Sequence, residues 1–173
     1  MNLGPVAMKT LRFAHLLLVI LFVGGVAAAT ALVFSVDGSN AQGAFAATSA
    51  MKTVFDNIVR IGSVGTVLVG LCYGFLTKWG FFRHRWLLIK WVILIGQVSA
   101  GILIVDRAIE NNVGLLDRLG AKIISSPTFL GNLTLLKFVL IAEVVASVAA
   151  LAVANWRFGG ANARHGATPL ASG

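Results

Sequence analysis

The sequence predicts an all-α membrane protein: a bundle of four transmembrane helices with both termini in the cytoplasm. Three observations carry this. Of the 173 residues, 58% are hydrophobic and only 12% charged, where a soluble domain carries roughly a quarter charged residues. Apolar runs at about 12–36, 57–77, 86–105 and 133–156 each approach the roughly 20 residues that a helix needs to cross the hydrocarbon core. The Lys and Arg residues are scattered in short segments beside those runs, as the positive-inside rule expects. That scatter also argues against a nucleic-acid partner, despite a net charge of +8, because no basic patch is gathered in one place.

The first run follows a charged lead, Lys9 and Arg12, and is broken only by His15 and small polar residues. It also has the outline of a secretory signal peptide, with Ala27-Ala28-Ala29 in the place of a cleavage site; we read it as an uncleaved first helix. Asp37 to Thr53 is rich in Gly, Ala and Ser and too polar to span, so it is expected to be a loop. The second run begins past Arg60 and repeats small residues every four positions: Gly62, Thr66, Gly70, Gly74. In lipid, where apolar burial does not drive helices together, such a stripe lets backbones approach closely. This helix is therefore expected to be central. Cys72 lies within it, and with no second thiol in the chain it is read as a small packing residue.

A tight connection from Lys78 to Arg85 leads into the third run, which opens on Arg83-His84-Arg85 and closes on Asp106. Between Asp106 and Asn132 the longest loop is expected. Ile109, Val113, Leu116, Leu119 and Ile123 fall there at helical spacing among charged residues. They form either an amphipathic helix on the membrane surface or a structured loop without lipid contact. The fourth run follows Pro127 and carries an alanine stripe, Ala142, Ala146, Ala150 and Ala154, before a Gly- and Ala-rich cytoplasmic tail at 157–173.

Polar residues inside the spans are the candidate functional groups. Lys90 stands about one turn inside the third span, where an ammonium must snorkel to the interface or be partnered. His15 stands at the same depth in the first. Gln97, seven residues beyond Lys90, lies within about 20° of the same helix face. Glu143 sits near the middle of the fourth span, and a carboxyl there is either protonated or paired. Gln97 matches its depth, and Arg60 is a second partner if its side chain reaches inward. Glu143 thus reads either as a proton-handling group or as a polar clamp between helices. His15 reads either as an interface histidine bonded to the backbone or as a ligand to haem iron or copper.

Two stretches carry a family likeness. Lys9-Thr10-Leu11-Arg12-Phe13-Ala14-His15, with Leu21-Phe22-Val23-Gly24-Gly25 after it, resembles the first helix of CopD-like copper-resistance membrane domains and of HemJ-type protoporphyrinogen oxidases. Trp79-Gly80-Phe81-Phe82-Arg83-His84-Arg85-Trp86-Leu87-Leu88-Ile89-Lys90 resembles a group of uncharacterised bacterial four-helix membrane proteins related to CopD. The resemblance covers most of the first three spans and implies the same four-helix layout. The HemJ-type likeness implies that His15 and Lys90 are functional and that b-type haem is the cofactor. Two departures count against porphyrinogen oxidation: Ala31 and Val36 stand where those oxidases carry an Arg and a second His. The Met-rich spans of a copper transporter are also missing, since the methionines are Met1, Met8 and Met51.

The resulting expectation is a multi-pass protein of the bacterial inner membrane whose partners are the lipid bilayer and other membrane subunits or copies of itself. A non-enzymatic, accessory role is favoured. The alternatives are a haem-binding redox protein using His15 and Lys90, with Lys90 near a propionate, and a small ion or metal transporter using Glu143.

Overall fold

A computed structural model describes residues 4–36, 40–76 and 85–162. Among them the chain forms four long rods, each long and apolar enough to cross a membrane. The first is α1 (Pro5–Ser35), with Pro5 at its first turn, where a missing N–H costs nothing. The second starts at Asn40, whose Oδ1 accepts from the amides of Gln42 and Gly43 at 3.0 and 3.2 Å and so caps α2 (Ala41–Val54). This helix runs through a π turn (Phe55–Val59) straight into α3 (Arg60–Leu76). The third rod is α4 (Arg85–Ala100), a second π turn (Gly101–Asp106) and α5 (Arg107–Leu119). It ends at Gly120, whose φ of +50° suits the closing position of a helix better than any residue with a Cβ. A 3₁₀ turn (Gly120–Ser125) leads to α6 (Pro127–Asn162).

These rods overshoot a bilayer. The 31 residues of α1 and 36 of α6 rise about 46 and 54 Å at roughly 1.5 Å per residue, against a hydrocarbon core of about 30 Å. The excess builds a helical head at the end opposite the termini. Two expectations are corrected by it. Residues 41–53 are not a loop but helix α2; their small side chains are too polar for lipid, yet Ala44, Ala47, Thr48 and Met51 form a buried stripe against protein. Residues 106–132 are helical as well. Of the two readings left open there a helix is present, α5, but it continues the third rod instead of lying on a membrane surface, and Ile109 and Leu116 bury its apolar face in the head while Asn112 takes a buried position and Leu119 points outward.

The core lies in that head and in the adjoining half of the spans. Val33 of α1, Met51 of α2, Val105, Ile109 of α5, Ile123, and Phe129, Leu136 and Leu140 of α6 are all fully buried. Below Phe22, Thr66, Gln97 and Ser147, toward the termini, no described residue is buried. The fourth rod also corrects an expectation: its buried line is Leu133, Leu136, Leu140, Glu143 and Ser147, while Ala142 is exposed and Ala146 and Ala150 are only half-buried. α6 continues to Asn162, past the expected end at 156. The calls on Asp37, on the 78–84 connection with Lys78, Arg83 and His84, and on the tail from 163 with Arg164 and His165 lie outside the described residues.

The expected close approach on the second span is present. A Cβ on Gly62 would sit 2.5 Å from the amide nitrogen and 2.8 Å from the Cα of Phe22, so α1 and α3 touch backbone to backbone. Thr66 is buried a turn on, Gly70 lies under the Trp91 ring of α4, and Gly74 is half-buried. Gly25 of α1 is pressed against Val59, whereas its neighbour Gly24 faces open space.

Candidate functional site

Glu143 is the buried acid of the bundle. It is 3% exposed, and neither carboxyl oxygen has a hydrogen-bond partner among the described residues. Its surroundings explain the room it occupies. A Cβ on Gly101 would lie 3.8 Å from Oε1 and 4.0 Å from the Phe55 ring, so a bare glycine and an aromatic edge form the wall facing the carboxyl. Gly101 opens one π turn and Phe55 opens the other. Each π turn holds one residue more than an α turn and widens the helix locally, a feature that recurs at functional sites. One π turn faces this acid at Gly101, and the other faces the same glycine through Phe55.

A charged ring caps the site on the head side. Asp56 and Asp106, one in each π turn, both bind the Arg60 guanidinium: Nη2 is 2.9 Å from Asp56 Oδ1 and 3.1 and 3.0 Å from the two oxygens of Asp106. Lys52 adds contacts to Asp56 at 2.9 Å and to Glu110 at 3.4 Å. Arg60 is therefore committed to the ring and half-exposed, and it does not reach Glu143; its two acids, at i−4 and across the helix pair, hold it at the surface. Lys137, at the level of the ring on α6, lies over the Phe34 ring at 5.5 Å. Glu143 is six residues further along α6, about 9 Å at roughly 1.5 Å per residue.

On the other side Gln97 does partner the Glu143 position, but through different atoms. Its Nε2 donates to the Glu143 carbonyl at 2.9 Å and to Ser147 Oγ at 2.8 Å. Gln97 thus clasps α4 to α6 without touching the carboxyl oxygens. Ser147 was not singled out from the sequence, although it stands four residues after Glu143 on the same face. The chemistry of the site follows from this arrangement: an acid in an apolar wall, with no donor of its own, flanked outward by two more acids and inward by an amide and a hydroxyl. A carboxyl so placed is either protonated or paired with a cation from outside the described residues.

His15 and Lys90 both lie at the end near the termini, half-buried on α1 and α4. The His15 ring meets Tyr73 of α3 edge-on, with centroids 5.9 Å apart. Tyr73, which meets His15 from α3, was not anticipated. Family models, curated proteins and solved structures were all compared with this chain, and none matches.

Haem is tested by the geometry at His15. A ligating imidazole donates its second nitrogen to a carbonyl or carboxylate, which fixes the ring. Here Nδ1 is covered and has no such partner, and among the described residues no cluster of His, Cys, Asp or Glu could hold a metal. The described residues at this end thus supply no acceptor that would orient His15 as a haem or copper ligand.

Proposed function

We propose that the chain is a non-enzymatic membrane protein of the bacterial inner membrane, with its head outside and its termini in the cytoplasm, in which Glu143 takes up and releases a proton. The observation that carries this reading is the buried Glu143 carboxyl, with neither oxygen hydrogen-bonded among the described residues, beside Gly101 of a π turn. Gln97 and Ser147 offer the next polar atoms inward. Whether the proton crosses the bundle or only switches the α4–α6 contact depends on what the chain assembles with, and the likeness of its first and third spans to the CopD-related group suggests a role within a larger membrane assembly.

The test is Glu143→Gln, which keeps the shape of the side chain and removes its titration. In proteoliposomes with a trapped pH dye and an imposed pH gradient, proton flux in the wild type should fall to the level of empty vesicles in the variant. Infrared difference spectra between acid and alkaline buffer should show a carboxyl C=O band that the variant lacks. An unchanged flux together with an unchanged band would remove Glu143 from the mechanism.

A further inference from the structure

The head carries a groove that the Glu143 site does not use. At its end nearer the spans, a cleft of about 210 Å³ opens between the third rod and α6. Leu103 and Ile104 on one side and Leu135 on the other are its apolar walls, and all three are exposed. Arg107, Asn111 and Asn132 line the same cleft further toward the head. Arg107 and Asn111 also line a wider depression of about 420 Å³, which runs on along α5 past Gly114 to Arg118. The two are therefore one groove with Arg107 at the junction. Gly114 leaves it open, since a Cβ there would meet nothing within 4 Å.

Charge and level decide what fits it. Arg107 follows directly on Asp106, the last residue of the π turn, and so stands at the charged ring. It is exposed and makes no ion pair among the described residues. The acids nearest to it in the chain are occupied: Asp106 binds Arg60 at 3.0 Å and Glu110 binds Lys52 at 3.4 Å. Asn132 gives one amide N–H to Asn112 Oδ1 at 2.8 Å and keeps the second. An occupant must therefore bring an anion to Arg107, polar oxygen to the two asparagines, and a hydrocarbon chain to Leu103, Ile104 and Leu135. A phospholipid with a net negative charge has these parts in this order. Its phosphate accepts charge-assisted, often bidentate hydrogen bonds from Arg, and basic pockets between transmembrane helices recognise anionic headgroups in this way. A second copy fits less well: two-fold symmetry, the commonest in oligomers, with its axis along the membrane normal, would bring Arg107 and Arg118 up against their own counterparts.

We propose that the groove between the third rod and α6 binds an anionic phospholipid, with its phosphate on Arg107 and one acyl chain along Leu103, Ile104 and Leu135. The site is separate from Glu143 and does not depend on its titration. The thermal midpoint of delipidated, detergent-purified protein tests it when followed against short-chain phosphatidylglycerol, phosphatidylcholine of the same chain length, and inorganic phosphate. Phosphatidylglycerol should raise the midpoint most, and Arg107→Gln should weaken its apparent affinity about tenfold, as loss of a charged hydrogen bond implies. Asn111→Asp sets a carboxylate one turn from Arg107, where it competes with the phosphate, and should weaken the affinity at least as much. Lys122→Gln, an exposed charge change elsewhere in the head, should leave it unchanged. Arg107 and Asn111 are both exposed, so either variant tests the site if the other fails to fold. Equal responses to the two lipids, or a phosphatidylglycerol response unchanged in these variants, overturn the proposal. A response to inorganic phosphate equal to that of phosphatidylglycerol overturns it too and assigns Arg107 to a soluble anion. Absence of any lipid response does the same, and a dimer by light scattering would then assign the groove to a second copy.

Discussion

In the head, α2, α5, the 3₁₀ turn after it and the first turns of α6 bury Met51, Ile109, Ile123 and Phe129 completely, while α1 and α4 near the termini bury none of their described residues over a comparable length. Both regions are helical and both are apolar, yet only the head has a core of the kind found in a soluble protein. The difference follows from the solvent. Helices that leave the membrane must hide their apolar stripes in one another, because water penalises exposure. Helices inside it can turn Leu, Ile and Phe to lipid at no cost, and they come together only where small residues or polar groups give a reason. The stability of this chain is thus concentrated at one end, and its polar chemistry lies at the edge of the packed region and beyond it.

The largest effect should come from the centre of the head. Phe129→Ala removes a fully buried ring and should cost about 3–5 kcal/mol, whereas Phe13→Ala, 70% exposed near the termini, should be close to neutral. Thermal or denaturant unfolding in one detergent measures both. Equal costs would mean that the end near the termini is packed against something the isolated chain does not contain.

How much of this was legible in the sequence follows the same division. The four spans could be read because apolar length alone defines a membrane helix. The head could not: Ala44, Ala47 and Thr48 are loop-like by composition, and they become helical because small side chains let α2 lie close to α5, a relation between two distant segments. For α5 the 3.6-residue periodicity of Ile109 and Leu116 was readable and its partner was not. In the site, Gln97 was matched to the right position by depth, but the bonded atoms, the Glu143 carbonyl and Ser147 Oγ, follow from side-chain direction. That Arg60 would be held by Asp56 was available from their i,i+4 spacing. The π turns leave no signal in residue type at all, and so the opening beside Glu143 was invisible.

Next in size is the contact that joins the two regions. Gly62→Ala would place a methyl 2.5–3.0 Å from backbone atoms of Leu21 and Phe22; backbone cannot rotate away as a side chain can, so α1 and α3 must separate. The cost should be about 1–3 kcal/mol or more. Gly24→Ala meets nothing within 4 Å and should change stability by less than about 0.5 kcal/mol, the usual range for a site without contacts. If the two substitutions cost the same, the close approach of α1 and α3 is not what joins the head to the spans.

The smallest effect tests the clasp at the lower edge of the core. Gln97 is the last buried residue of α4 before the open half, and its amide is shared between Ser147 Oγ and the Glu143 carbonyl. Hydrogen bonds between helices in a membrane average about 0.6 kcal/mol and reach about 1.7, because the separated helices find other partners in the same lipid. Gln97→Leu should therefore destabilise by about 1 kcal/mol, less than either change above. A double-mutant cycle with Ser147→Ala isolates the side-chain bond, since the carbonyl bond is lost in the Gln97 variant whatever stands at 147. A coupling of about 0.6 kcal/mol would make the clasp a true polar tie between α4 and α6. A coupling of zero would leave α4 held by van der Waals contact alone, and the boundary between the packed and open halves would then be set by where the apolar side chains of the core end.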